Sequence, residues 1–202
     1  MLIPVGDDVK GKIFPFTTYC LILLNLFVFF KFGIQERFLL VPSNFSNFSF
    51  DTFISIFSSM FIHASILHLL GNMFYLFIFG KSLESKIGSW RFLFLYLLGG
   101  VFSALFYVAF KINSSIPVLG ASGAISAIMG GYLLFFFKRN IIILFPFPPF
   151  KFKIKAYIFF FIWLIFQFLT MRSKSIAVPA HIGGWIFGFV TAKAFEVEKR
   201  GK

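Results

Sequence analysis

The chain has 202 residues, of which 59% are hydrophobic, 22% aromatic and only 13% charged. A soluble domain carries about 25% charged residues, so a water-facing globule is excluded and an integral membrane protein is expected. The formal net charge of +12 would suggest nucleic acid in a soluble protein. Here the basic residues fall in short clusters between apolar runs, so they report membrane topology and no nucleic-acid partner is expected. Cys20 is the only cysteine, so neither an intrachain disulfide nor a cysteine-based metal site can form. The 36 phenylalanines read as replacements for leucine on lipid-facing surfaces.

Lys10 and Lys12 precede an apolar stretch from Ile13 to Phe30. That stretch is long for the apolar region of a signal peptide and has no small-residue cleavage site after it, so it reads as a retained first span. Six apolar runs reach or approach the roughly 20 residues that cross about 30 Å of hydrocarbon. They lie at roughly 14–33, 64–82, 91–110, 121–137, 155–171 and 179–196. The expected architecture is an all-α membrane protein with one domain over 1–202, a bundle of six transmembrane helices. No soluble domain and no internal repeat are evident.

Lys and Arg collect on the cytoplasmic side of a membrane protein. Fourteen fall on one side: Lys10, Lys12, Lys81, Lys86, Arg91, Lys138, Arg139, Lys151, Lys153, Lys155, Lys193, Lys199, Arg200 and Lys202. Five fall on the other: Lys31, Arg37, Lys111, Arg172 and Lys174. Both termini are therefore expected in the cytoplasm. The longest connection, about 34–62, is amphipathic and aromatic but too polar to span. It is expected as re-entrant or surface-bound structure in the outer interface. Further on, three prolines in Phe145-Pro146-Phe147-Pro148-Pro149 rule out regular helix.

Polar groups are costly in hydrocarbon, so each one inside a span is a functional candidate. Runs two, four and six all enter from the outer face. Run two begins around His63 and carries His68 and Asn72. Run four opens at Gly120-Ala121-Ser122-Gly123. Run six follows Pro179 and carries His181. Every histidine, the glycine-flanked serine and one asparagine thus fall near the outer ends of three helices. Serine becomes a nucleophile when a base takes its proton, and histidine suits that role at neutral pH. The seven acids are Asp7, Asp8, Glu36, Asp51, Glu84, Glu196 and Glu198, and none lies near the outer ends of runs four or six. Ser122 and His181 would therefore act as a dyad. His68 and Asn72 are four apart and share a helix face. Both can donate hydrogen bonds to an oxyanion, and the start of run four adds free N–H groups and a favourable dipole.

Each residue alone has a plainer reading. Serine among small residues is more often a packing contact. His68 and Asn72 are as readily interhelical hydrogen-bond partners, and His181 an interfacial histidine. For His63, a solvated or hydrogen-bonded loop residue is the preferred reading. The joint placement is what favours chemistry for the others. Ala180, Gly184 and Gly188 form a small-residue stripe on run six, and Gly123, Ala127 and Gly131 form a matching one on run four, so these two helices are expected to approach closely. Glu84, at the cytoplasmic end of run two, is assigned to helix-end hydrogen bonding or ion pairing.

These residues resemble those of the rhomboid family of intramembrane serine proteases, over nearly the whole chain. His63-Ala64-Ser65-Ile66-Leu67-His68-Leu69-Leu70-Gly71-Asn72 is similar to the family's second-span histidine–asparagine motif. Gly120-Ala121-Ser122-Gly123 is similar to its nucleophile motif, and Ala180-His181-Ile182-Gly183-Gly184 to its base motif. Gly80, Glu84 and Gly88 resemble its Gly-x-x-x-Glu-x-x-x-Gly element, and Ile3-Pro4-Val5-Gly6-Asp7-Asp8 looks like the opening of many bacterial members. The resemblance implies a six-helix bundle with a water-filled cavity open to the outer face. It implies Ser122 as nucleophile, His181 as base, and His68, Asn72 and the Ser122 backbone N–H as oxyanion donors. The implied reaction is hydrolysis of a peptide bond in or near a transmembrane segment, in a bacterial inner (plasma) membrane, without metal or cofactor. The implied partners are transmembrane protein substrates and the lipid bilayer; the oligomeric state stays open. Two positions depart from the family pattern. The first loop has no Trp-Arg pair, Glu36-Arg37-Phe38 being nearest, and Ser126 stands where some members place an aromatic against the base.

Two other functions compete. A catalytically silent relative that binds clients would usually lack the serine or the histidine, and this chain keeps both. A transporter or channel would carry polar groups through to the cytoplasmic face, whereas runs four and six are apolar beyond their first turns. Zinc and aspartyl protease chemistry fail on inventory, since there is no His-Glu-x-x-His and no Asp inside a span.

Overall fold

The computed structural model describes residues 3–11, 13–171 and 176–200, the last five by backbone alone. Lys12, Arg172, Lys174 and Lys202, and the side chains of Glu196, Glu198, Lys199 and Arg200, lie outside the described residues. The helices are α1 (Phe16–Phe32), α2 (Phe50–Ser58), α3 (Ile66–Ile87), α4 (Ser89–Lys111), α5 (Ser122–Phe136), α6 (Ala156–Leu169) and α7 (Val178–Arg200). All but α2 coincide with the six apolar runs to within a few residues. Among the described residues, α3 and α4 are long and apolar enough to cross a membrane by length and composition. Helices α1, α5 and α6 have 17, 15 and 14 residues. Large apolar side chains face outward along several helices, with Leu67 80%, Phe161 64% and Leu169 79% exposed, a surface suited to lipid rather than water.

Local chemistry sets the helix ends. Ser65 caps α3, its Oγ accepting from the His68 N–H at 3.2 Å, which fixes the turn that carries His68. Gly88 closes α3 and opens α4 with φ +88°, a conformation that favours glycine. Pro15 precedes α1 and provides no side-chain cap. The buried Glu84 of α3 serves instead. Its Oε1 accepts from the Thr17 N–H at 2.8 Å and the Ser89 hydroxyl at 2.7 Å, and its Oε2 from the Thr18 N–H at 2.8 Å and the Thr18 hydroxyl at 2.7 Å. The carboxylate satisfies orphan donors at a helix N-terminus and ties α1 and α4 to α3, in line with the helix-end role expected for it. Glu84→Ala is expected to cost about 2 kcal/mol, because two buried N–H groups lose their acceptor. Denaturation in detergent measures this, and an unchanged midpoint would show that α1 is held by other contacts.

Helices α5 and α7 pack backbone against backbone. A Cβ on Gly184 would run into the Gly123 carbonyl oxygen, one on Gly188 into that of Ala127, and one on Gly130 into that of Trp185. The first two contacts join the stripes expected from the small-residue spacing; Gly130 and Trp185 lie outside them. Helix α4 joins them through Ser103, whose hydroxyl donates to the Ala180 carbonyl at 2.8 Å. Along α5 away from Ser122 the core becomes aromatic, with Phe79 edge-on to Tyr132 at 5.0 Å and Phe160 5.5 Å from Phe79.

The chain is mostly helical, as expected, but not all-α. Strands β1 (Ile3–Asp7), β2 (Asn140–Phe145) and β3 (Phe150–Lys155) form an antiparallel sheet in that order. The proline-rich stretch is the turn between β2 and β3. Ile141 and Ile143 alternate into the aromatic core while Lys151, Lys153 and Lys155 alternate outward. The β-branched run Ile141-Ile142-Ile143 and the strict period of two in Phe150-Lys151-Phe152-Lys153-Ile154-Lys155 carried this signal. Asp7 accepts from the Ser82 hydroxyl at 2.6 Å and Asp8 from the Asn140 side-chain amide at 2.6 Å, so the acids of the N-terminal segment fasten the sheet.

The long first connection folds as 3-10 turns at Glu36–Phe38, Pro42–Asn47 and Ser59–Phe61 around α2. Leu40 and Val118 exchange backbone hydrogen bonds at 3.2 and 2.7 Å, and the Ser43 N–H donates to the Ser114 carbonyl at 3.0 Å. The Ser58 hydroxyl reaches the Phe38 carbonyl at 3.0 Å. Backbone pairing therefore anchors this loop where a Trp-Arg pair is lacking.

Candidate active site

The segment leading into α5 turns sharply at Gly120. Its φ is +109°, which favours glycine, and its N–H donates to the Ser59 carbonyl at 2.8 Å. The turn leaves Ser122 as the first residue of α5, where the backbone N–H groups lack helical partners. No bulkier residue fits at 120. A Cβ there would stand 2.7 Å from His68 Cε1, 2.8 Å from His68 Nε2 and 3.4 Å from Asn72 Nδ2. The His68 ring and the Asn72 amide thus lie over the turn, two residues before Ser122. Asn72 Nδ2 is buried and has no hydrogen-bond partner among the described residues. A buried donor left open calls for a ligand or a reaction intermediate to accept from it.

His181, in the first turn of α7, comes to the same place. Its Nε2 is 2.9 Å from Ser122 Oγ. The close α5–α7 approach makes this possible, since a Cβ at Gly184 would push apart the two helices that carry the pair. On the far side of the ring, His181 Nδ1 is 2.9 Å from Gln167 Oε1 on α6. A cavity of about 370 Å³ opens beside these groups, lined by His68, Asn72, Ser122, Gln167 and His181 with Tyr107 and the 116–119 segment. The four residues singled out from sequence, Ser122, His181, His68 and Asn72, all line this one cavity. No group of three or more His, Cys, Asp or Glu side chains suited to a metal ion occurs among the described residues.

Two residues differ from the sequence reading. His63, expected as a solvated or hydrogen-bonded loop residue, is buried, with its ring edge-on to His68 at 5.2 Å between centroids. Burial and the neighbouring His68 push its pKa down to about 4, against a smaller opposing effect of the Phe61 backbone, so it is neutral at pH 7. Its place against His68 limits how that ring can tilt. Gln167 was passed over altogether. It is the single amide in α6, and a lone amide in an apolar run is the signal that would have found it. Ser126, where an aromatic was lacking, turns its hydroxyl back to the Ser122 carbonyl at 2.8 Å.

Comparison with known proteins gives one family. The profile of the Rhomboid domain matches residues 51–196, the part of the chain that holds every residue of the cavity. Presenilin-associated rhomboid-like protein A, mitochondrial, of Danio rerio is 32% identical over 134 residues, 64% of this chain and 34% of that protein. Rhomboid protein 1, mitochondrial, of Saccharomyces cerevisiae is 30% identical over 155 residues, 73% and 44% of the two chains. Rhomboid protease GlpG of Yersinia pestis is 30% identical over 135 residues, 67% and 45%. The chain spans less than half the length of these relatives. Mitochondrial and bacterial proteins stand together among them, so they lend the expected bacterial plasma membrane no support.

Proposed function

Since this chain belongs to the rhomboid family and is an integral membrane protein, we propose that it is a serine endopeptidase that cleaves transmembrane protein substrates in or near their membrane segments. The observation that carries this reading is the 2.9 Å contact between Ser122 Oγ and His181 Nε2 beside a cavity that His68, Asn72 and Gln167 also line. His181 takes the hydroxyl proton as Ser122 attacks the scissile carbonyl, then returns it to the leaving amine. Water from the cavity hydrolyses the acyl-enzyme. His68, the open donor on Asn72 and the Ser122 N–H stabilise the oxyanion.

The proposed architecture is one domain with six spans formed by α1, α3, α4, α5, α6 and α7, and with both termini in the cytoplasm. The shortness of α5 supports a recessed site. At 1.5 Å per residue it is about 23 Å long against about 30 Å of hydrocarbon, so Ser122 would sit about 7 Å below the outer boundary when the other end meets the inner one. A cavity of this depth brings water to a bond that lipid would otherwise keep dry.

Labelling with a serine-reactive fluorophosphonate tests the proposal. Ser122 is expected to be modified in the parent and unmodified in His181→Ala; a parent that does not react at Ser122 would overturn it. Asn72→Ala is expected to lower kcat by about 100- to 1000-fold, the usual cost of one oxyanion donor, with KM nearly unchanged. Steady-state cleavage of a transmembrane substrate in liposomes reads both constants. A loss in Asn72→Asp at least as large as in Asn72→Ala is also expected, since a carboxylate cannot donate and repels the oxyanion.

A further inference from the structure

We propose that Gln167 is a positioning residue that holds His181 in the one neutral tautomer able to take the Ser122 proton. The inference rests on the protease reading above. Gln167 sits near the end of α6, is buried, and places Oε1 2.9 Å from His181 Nδ1. An amide oxygen has no proton to give. Nδ1 must therefore carry the hydrogen, and in a neutral imidazole Nε2 is then left with a free lone pair. That lone pair faces Ser122 Oγ at 2.9 Å. The opposite tautomer would put a hydrogen between Nε2 and the serine and leave no acceptor for the hydroxyl proton.

The bond also fixes the ring in space. Helix α5 offers the imidazole little support from its own side, because the Ser126 hydroxyl is bonded to the Ser122 carbonyl. Helix α6 supplies that support instead. The result is a Ser–His–Gln set in which the third member is neutral. Its neutrality suits this cavity. Among the described residues, the titratable groups that line it with His181 are His68 of α3 and Tyr107 of α4, with no Asp, Glu, Lys or Arg. A carboxylate in place of the amide would be a charge buried without a cationic partner among the described residues until His181 is protonated.

Two variants test this on a transmembrane substrate in liposomes. Gln167→Met keeps the shape and removes the acceptor. It is expected to lower kcat by about 10- to 100-fold with KM within about twofold, the pattern of a lost orienting bond rather than lost substrate binding. Gln167→Glu keeps an acceptor but adds negative charge beside the imidazole. An opposite charge favours the protonated ring, so the acid limb of the kcat/KM profile is expected to move to higher pH while activity at alkaline pH is retained. A Gln167→Met enzyme with the parent kcat would overturn the proposal. If that variant does not fold, the Glu variant decides, and an unmoved acid limb would overturn it equally. Failure of the parent itself to cleave or to label would fall on the protease reading and not on Gln167 alone.

Discussion

Ser122→Ala is expected to stop cleavage of a transmembrane substrate in liposomes, with a loss in kcat of about a million-fold if the hydroxyl is the nucleophile. Among the described residues, the two serines nearest Ser122 are not placed to take over. Ser126 donates to the Ser122 carbonyl within α5 and Ser103 to the Ala180 carbonyl of α7, and neither is among the residues lining the cavity. The substitution removes one oxygen from a residue that α5 does not need as a cap, since Ala121 holds that place without a side-chain bond. The variant should therefore fold like the parent, and inactivity will report chemistry. His181→Ala is expected to match it, and the double variant to be no worse, because residues that act as a unit lose their effect together. A Ser122→Ala protein that cleaves as well as the parent would end the protease reading.

Gly188→Val is expected to cost about 3 to 5 kcal/mol and to abolish activity, although Gly188 is not among the residues lining the cavity. The obstacle to its Cβ is the Ala127 carbonyl and Cα, part of a helix backbone that cannot turn aside as a side chain would. Relief requires α7 to move away from α5. That movement separates Ser122 from His181, which sits two turns before Gly188 on the same helix. Gly71→Ala is the matched control. It lies inside α3, next to Asn72, and a Cβ there meets nothing within 4 Å. It is expected to be neutral or to gain about 0.5 to 1 kcal/mol from helix propensity. Denaturation in detergent, read beside cleavage rate, compares the two. Equal behaviour of the two glycines would refute backbone packing as the device that holds the site together.

Much of this site was legible before any coordinates. The proposed chemistry rests on a short inventory: one serine between glycines, three histidines and an asparagine, all at or near the starts of alternate apolar runs. Spacing by four predicted the α5–α7 contact, because small residues on one helix face have one main use between helices. Hydropathy placed six helices within a few residues, because burial in lipid demands long unbroken apolar stretches. The sheet was missed for the converse reason. Its strands are short, and a period of two is hard to see beside prolines and next to a long hydrophobic run.

What lay outside the reach of sequence is the neighbour relations among helices. Gln167 meets His181 because the end of α6 lies beside the start of α7, and Glu84 meets Thr17 and Thr18 because α1 starts beside the end of α3. Hydropathy records how often a helix face is apolar and says nothing of which helix faces which. Polar partners inside a membrane protein are chosen by that arrangement, one hydrogen bond at a time. The proposed nucleophile and base were therefore readable from the chain, whereas the amide proposed to set the tautomer of the base needed the packed structure.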